Sequence, residues 1–206
     1  MSSMTRRNWL KAFAFVPLGM TIAGKRAFAS PAKKSVIGSR LPDVEVITQD
    51  GVRVRFYDDL IKDKIVLINF FYADCEKFCP PATANLLKVQ KLLGERVGRD
   101  IFMYSLTLKP EHDTPEVLKH YAQMHAVRPG WTFLTGTPEV METLRRKLGF
   151  IDPDPAVDAD KSSHIGVVLF GNDSLNRWTA CPALVNPREI VRSVSFLDPG
   201  PQKQIE

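Results

Sequence analysis

The run Ile65-Val66-Leu67-Ile68-Asn69-Phe70-Phe71-Tyr72 constrains the fold of this chain most. It is nearly continuous and apolar, which is how a strand buried on both faces reads. It leads directly into Ala73-Asp74-Cys75-Glu76-Lys77-Phe78-Cys79-Pro80 and then into a helix-like segment from Ala82 to Leu93. Pro80-Pro81 opens that helix, where proline costs no intrahelical hydrogen bond. Leu86, Leu87, Val89, Leu92 and Leu93 give it one apolar side. Two thiols at a strand–helix junction do one of two things. They hold a soft metal ion, or they cycle between dithiol and disulfide.

The remaining elements follow from pattern and punctuation. Val44–Thr48 and Val52–Phe56 alternate around Asp50-Gly51, a hairpin signal. Ile101–Leu106 is a second apolar strand, Trp131–Leu134 a short third one. Thr114-Pro115 and Thr137-Pro138 each start a capped helix, the first running to about His125 and the second to about Leu148. Residues 150–163 are rich in Asp, Pro and Ala and read as a surface loop. Ile165–Phe170 is a strand, followed by a turn at Gly171-Asn172-Asp173, a short strand near Arg177–Thr179 and a helix from Pro187 to about Val194. The order predicts one α/β domain over residues 41–206: a mixed central sheet flanked by helices, with an N-terminal β-hairpin. With the Cys pair at its first strand–helix junction, this reads as a thioredoxin-like fold.

The N-terminus has the layout of an export signal. Arg6-Arg7-Asn8-Trp9-Leu10-Lys11 precedes a modest apolar segment, and Ala27-Phe28-Ala29 supplies a cleavage point. The paired arginines resemble a bacterial twin-arginine signal, which places the chain in the periplasm or on the extracytoplasmic face of a bacterial membrane. The alternative is an uncleaved anchor or a basic amphipathic tail. Residues 30–40 read as a flexible linker. The formal charge of +5 belongs to the first 29 residues, which hold five basic side chains and no acidic one. The rest balances 23 basic against 23 acidic residues, with no basic stripe and so no nucleic-acid partner. Three cysteines do not make a disulfide framework.

A helix N-terminus stabilises a thiolate, and Lys77 can add to that effect. Three residues separate Cys75 from Cys79, a loop that permits a disulfide and also lets both sulfurs face outward toward one ion. Cys181 is read as a buried small hydrophobe after the final hairpin, with a third sulfur, a resolving thiol or intermolecular pairing as alternatives. His112, His120 and His125 read as surface residues, and Met103 and Met124 as core. Trp178 reads as an apolar cover of the last hairpin. Asp74, Glu76, Tyr72 and Phe78 flank the thiols and are candidates for a docking rim, whereas Phe71 reads as packing.

Phe70–Pro80, then Asp113-Thr114-Pro115-Glu116-Val117-Leu118, then His164 before an apolar strand resemble the SCO/SenC family. The resemblance spans roughly Gly38 to Val194. It implies a thioredoxin-fold protein that helps mature the two-copper centre of cytochrome c oxidase. It further implies that Cys75, Cys79 and His164 bind one copper ion. Two thiolates and an imidazole suit Cu(I) and can also hold Cu(II); zinc would find an open fourth position. Two positions depart from the family. Lys109 stands where it carries an aspartate, and Ser163 stands where an aspartate precedes the histidine. Both change the charge balance of the site.

Two functions compete. One is a copper metallochaperone that hands its ion to a cytochrome oxidase subunit or another exported cuproprotein. The other is a thiol–disulfide oxidoreductase in which Cys75 and Cys79 are redox-active and reduce a partner's cysteines. A thiol reductant is a partner in either case, because copper loading needs reduced thiols. Peroxidase chemistry lacks a supporting arginine by the motif. No phosphate-cradling loop, Ser-His-Asp set or carboxylate pair points to a hydrolase.

Overall fold

A computed structural model describes residues 41–160 and 166–198. Strands β1 (Glu45–Thr48) and β2 (Arg53–Arg55) form the expected antiparallel hairpin. Phe56 does not prolong β2. It opens a π-helical turn, Phe56–Ile61, closed by Lys62 N–H donating to Tyr57 C=O at 2.9 Å. Asp43 caps this turn by accepting the N–H groups of Tyr57 and Asp58 at 3.1 and 3.2 Å.

The chain continues through β3 (Ile65–Phe71), α1 (Cys79–Leu93), β4 (Ile101–Thr107), α2 (Pro115–Met124), β5 (Trp131–Thr135), α3 (Pro138–Lys147) and α4 (Pro155–Ala159). It ends in β6 (Val167–Asn172), β7 (Arg177–Pro182) and α5 (Pro187–Leu197). Seven strands form one sheet in the order β2-β1-β5-β4-β3-β6-β7. The central β3, β4 and β5 run parallel, and the outer pairs are antiparallel.

Every residue of β3 is buried, because side chains of both parities meet a core. Ile65, Leu67 and Phe71 pack with α1, α2 and α5; Val66, Ile68 and Phe70 pack with α3 and the π-helical turn. The caps read from sequence are made. Thr114 Oγ1 accepts Val117 N–H at 3.4 Å, and Thr137 Oγ1 accepts Val140 N–H at 3.3 Å.

Several expectations need correction. Leu92 is exposed, and Gln90 takes the buried place because its amide both donates to Arg128 C=O at 2.8 Å and accepts from Arg128 N–H at 3.2 Å. Met124 is 63% exposed, at the last turn of α2. Residues 150–160 are not a simple loop. They hold α4, fastened by Arg145, whose buried guanidinium spends its donors on Glu142, Asp158 and Phe150 C=O. β6 runs on to Asn172, so the last hairpin turns later, and β7 includes Cys181 opposite Val168. The segments expected to be an export signal and a linker, together with Ser163 and His164, lie outside the described residues.

Candidate metal and thiol site

β3 and β4 end side by side, with Phe71 level with Thr107. The Cys segment leaves the sheet at this edge. Chain re-enters the sheet at the same edge, where β6 begins antiparallel to β3, with Val168 level with Asn69. The carboxyl edge of parallel strands is where open α/β sheets place their chemistry.

Cys75 closes a turn, its N–H donating to Tyr72 C=O at 3.3 Å. Cys79 is the first residue of α1, and Phe78 at the cap offers no side-chain acceptor. A helix start leaves its first N–H groups without intrahelical partners. Here Pro80 and Pro81 have none to offer, and Ala82 N–H reaches Phe78 C=O at 3.2 Å. The remaining donor, Cys79 N–H, points at Cys75 Sγ at 3.3 Å. The sulfur therefore does the capping that Phe78 cannot.

The two thiols consequently differ. Burial alone would raise Cys75, but hydrogen bonds from the Cys79 thiol, Cys79 N–H, the Tyr72 hydroxyl and Lys77 N–H outweigh it and bring its pKa down to about 7. Cys79 is pushed up to about 12 by burial, by its hydrogen bond to Cys75 and by the nearby negative charges of Cys75 and Asp113. One proton is thus shared, with Cys75 as thiolate and Cys79 as donor. Lys77 acts through its backbone; its side chain is exposed. The sulfurs do not face outward either. Cys75 and Cys79 are only 7% and 9% exposed, within the same buried core as Phe71, Tyr121 and Phe133.

Tyr72 is half-buried under Lys109, whose Nζ lies 4.2 Å from the ring centroid and pairs with Asp74 at 3.0 Å. Phe71 is core, its ring tilted against Tyr121 at 5.2 Å and edge-on to Phe133 at 5.1 Å. Phe78, next to Cys79 in the chain, is 50% exposed. Cys181 is half-buried against the same core, and burial raises its thiol. His112 and His120 are exposed, while His125 is half-buried against the Tyr121 ring at 4.4 Å. Among the described residues no group of three or more His, Cys, Asp and Glu side chains could hold a metal. The Cys pair is therefore a two-sulfur site as described.

The sequence reading missed Asp113 as part of this site. Its buried carboxylate accepts Ala73 N–H at 3.1 Å and the Thr107 hydroxyl. Its signal in the sequence was its place at the head of the Asp113–Leu118 run, directly ahead of the Thr114 cap.

The SCO1/SenC family model matches residues 41–195. This chain belongs to the SCO1/SenC family. A SCO1 protein homolog of Bacillus subtilis is 36% identical over 90 residues, which cover 43% of this chain and 45% of the relative. A SCO2-like protein of Rickettsia felis is 29% identical over 59% of this chain and 60% of its own length. The chain thus spans about half the length of the curated relatives it matches. Among solved structures, BsSco, described as having a disulfide switch and belonging to the Sco family of cytochrome c oxidase assembly proteins, is 25% identical with a TM-score of 0.62. That match covers 76% of this chain and 92% of that one. Bradyrhizobium japonicum ScoI, solved with copper bound, is 22% identical with a TM-score of 0.59, over 74% of this chain and 96% of that one. The thioredoxin-like fold is therefore that of the Sco family.

Proposed function

We propose that this chain is a copper metallochaperone whose cargo ion is held by Cys75, Cys79 and His164. The observation that carries this is the thiol pair itself. One sulfur is about half thiolate at neutral pH, and the other lies within reach of it at a helix start. Soft, polarisable sulfur ligands favour Cu(I), and an imidazole alongside them can keep Cu(II) as well. The copper-bound ScoI of similar fold supports the reading. So does the strand order, which brings the chain into β6 at the edge where β3 delivers Cys75. Copper displaces the Cys79 proton, so loading releases it to solvent and becomes tighter as pH rises.

The acceptor we infer is a cytochrome oxidase subunit with a two-copper site, or a cuproprotein of similar chemistry; the assembly role described for BsSco supports it. Residues 1–29 act as a twin-arginine export signal, 30–40 as a linker and 41–206 as the functional domain, on the periplasmic or extracytoplasmic side. No helix among the described residues is long and apolar enough to cross a membrane.

A second reading rests on the same asymmetry. A Cys75 thiolate with a buried Cys79 behind it is the arrangement of a thiol–disulfide exchanger, with Cys75 attacking and Cys79 resolving. Anaerobic Cu(I) titration of the reduced full chain against a competing chelator separates the two. One tight equivalent, much weakened by His164→Ala, is expected for the chaperone. Weak binding indifferent to His164 leaves thiol exchange as the function.

A further inference from the structure

The segment that carries Cys75 is gripped residue by residue by the turn after β4. Phe71 C=O accepts Leu108 N–H at 2.8 Å. The Tyr72 ring lies under the Lys109 ammonium. Ala73 N–H donates to Asp113 Oδ2 at 3.1 Å. Both carboxylate oxygens of Asp74 accept from Lys109 Nζ at 3.0 Å. Four consecutive residues ahead of Cys75 are thus held by Leu108, Lys109 and Asp113.

The turn is stiffened from within. Lys109 C=O accepts the N–H groups of His112 and Asp113, each at 2.9 Å. Thr107 Oγ1 accepts Lys109 N–H at 2.9 Å, and the Thr107 hydroxyl donates to Asp113 Oδ2. Asp113 is therefore the point where the turn and the Cys segment meet, through one oxygen with two donors. It is 2% exposed, so water does not substitute for either bond. The Asp74 end of the Lys109 pair is open to solvent, where such pairs contribute little. The buried half of the grip should dominate.

We propose that Asp113 is a positioning residue for the copper site: its carboxylate fixes the Ala73 backbone and thereby sets where Cys75 Sγ sits beneath Cys79 N–H. Lys109 braces the same segment from the solvent side. The proposal rests on the copper reading above. A role confined to fastening the turn would leave the metal site untouched, and this separates the two roles experimentally.

The test uses the reduced full chain as wild type, Asp113→Ala and Asp113→Asn. Amide exchange at Ala73 is followed by NMR without metal. Cu(I) affinity and the Cu(II)–thiolate absorption band are measured after loading. In Asp113→Ala, Ala73 exchange should rise by about 10-fold or more, while Met103 N–H, held by Gly130 C=O, stays protected. Copper affinity should fall by about 10- to 100-fold, the usual loss when support behind metal ligands is removed. Asp113→Asn still offers an accepting oxygen and should retain both properties within a few-fold. A folded Asp113→Ala with wild-type affinity and band overturns the proposal. So does an Asp113→Asn that loses as much as Asp113→Ala. If Asp113→Ala does not fold, Thr107→Val serves in its place; a shifted thiolate band is expected, and an unchanged one overturns the proposal. A wild-type chain that binds no copper overturns the copper reading itself, whatever Ala73 does.

Discussion

The two thiols of the Cys motif should react at very different rates, and the difference can be worked from their surroundings. At pH 7 a thiol with a pKa of about 7 is half ionised, whereas one at about 12 is ionised to roughly one part in 100,000. The thiolate populations therefore differ by about 50,000-fold. The less acidic thiolate is the better nucleophile. With a Brønsted slope of about 0.45 over five units it recovers a factor of about 200. The net preference for Cys75 is on the order of a few hundredfold, before counting the deeper burial of Cys79. The assay is iodoacetamide labelling of the reduced, metal-free chain, with peptide mass spectrometry to locate the label. Cys75 should be labelled first and alone, with a rate that levels off above about pH 7 rather than near 9. Cys181, raised by burial, should lag behind Cys75. Equal labelling of Cys75 and Cys79, or Cys79 leading, would refute the capping argument.

Three further outcomes follow from the same physical account. The reduced metal-free chain should be most stable near pH 9. Cys75, lowered on folding, contributes stability that is lost as pH falls from 9 toward 7, and Cys79, raised on folding, contributes stability that is lost as pH rises from 9 toward 12. Cys75→Ser should erase the low-pH limb in urea titrations at graded pH. Arg145→Met leaves Glu142 and Asp158 without their buried cation and should cost about 3 kcal/mol, with faster exchange at the Asp152 amide that Asp158 holds at 2.9 Å. Gly171→Ala drives a Cβ into the Trp178 ring and should destabilise by about 1–3 kcal/mol, with a change in tryptophan emission; wild-type stability in either variant would contradict the packing described.

Much of this architecture was legible because local pattern and tertiary demand agreed. β3 could be read from its unbroken apolar run, since burial on both faces leaves no polar parity to disguise it. Thr114 and Thr137 announced their helices because a cap is a local bond. What escaped was set by distant partners. Leu92 is apolar but turned away from the sheet, while Gln90 is buried because Arg128 satisfies its amide. The Asp-rich stretch after Gly149 read as solvated, since the Arg145 that fastens it precedes it on α3. The thiols were visible as a motif, and their inequality was not. It depends on which N–H remains after two prolines and on where Cys75 Sγ falls. Asp113 meets Ala73 across 40 residues of chain, a contact no local pattern announces.

The proposed function requires one copper ion to be held by two sulfurs and one imidazole of this chain. X-ray absorption at the copper edge of the anaerobically Cu(I)-loaded full chain tests it most directly, with His164→Ala alongside. Two sulfur neighbours and one nitrogen are expected in the wild type, the nitrogen disappearing in the variant while both sulfurs remain. A copper surrounded only by nitrogen and oxygen, or a nitrogen shell unchanged by His164→Ala, would contradict it.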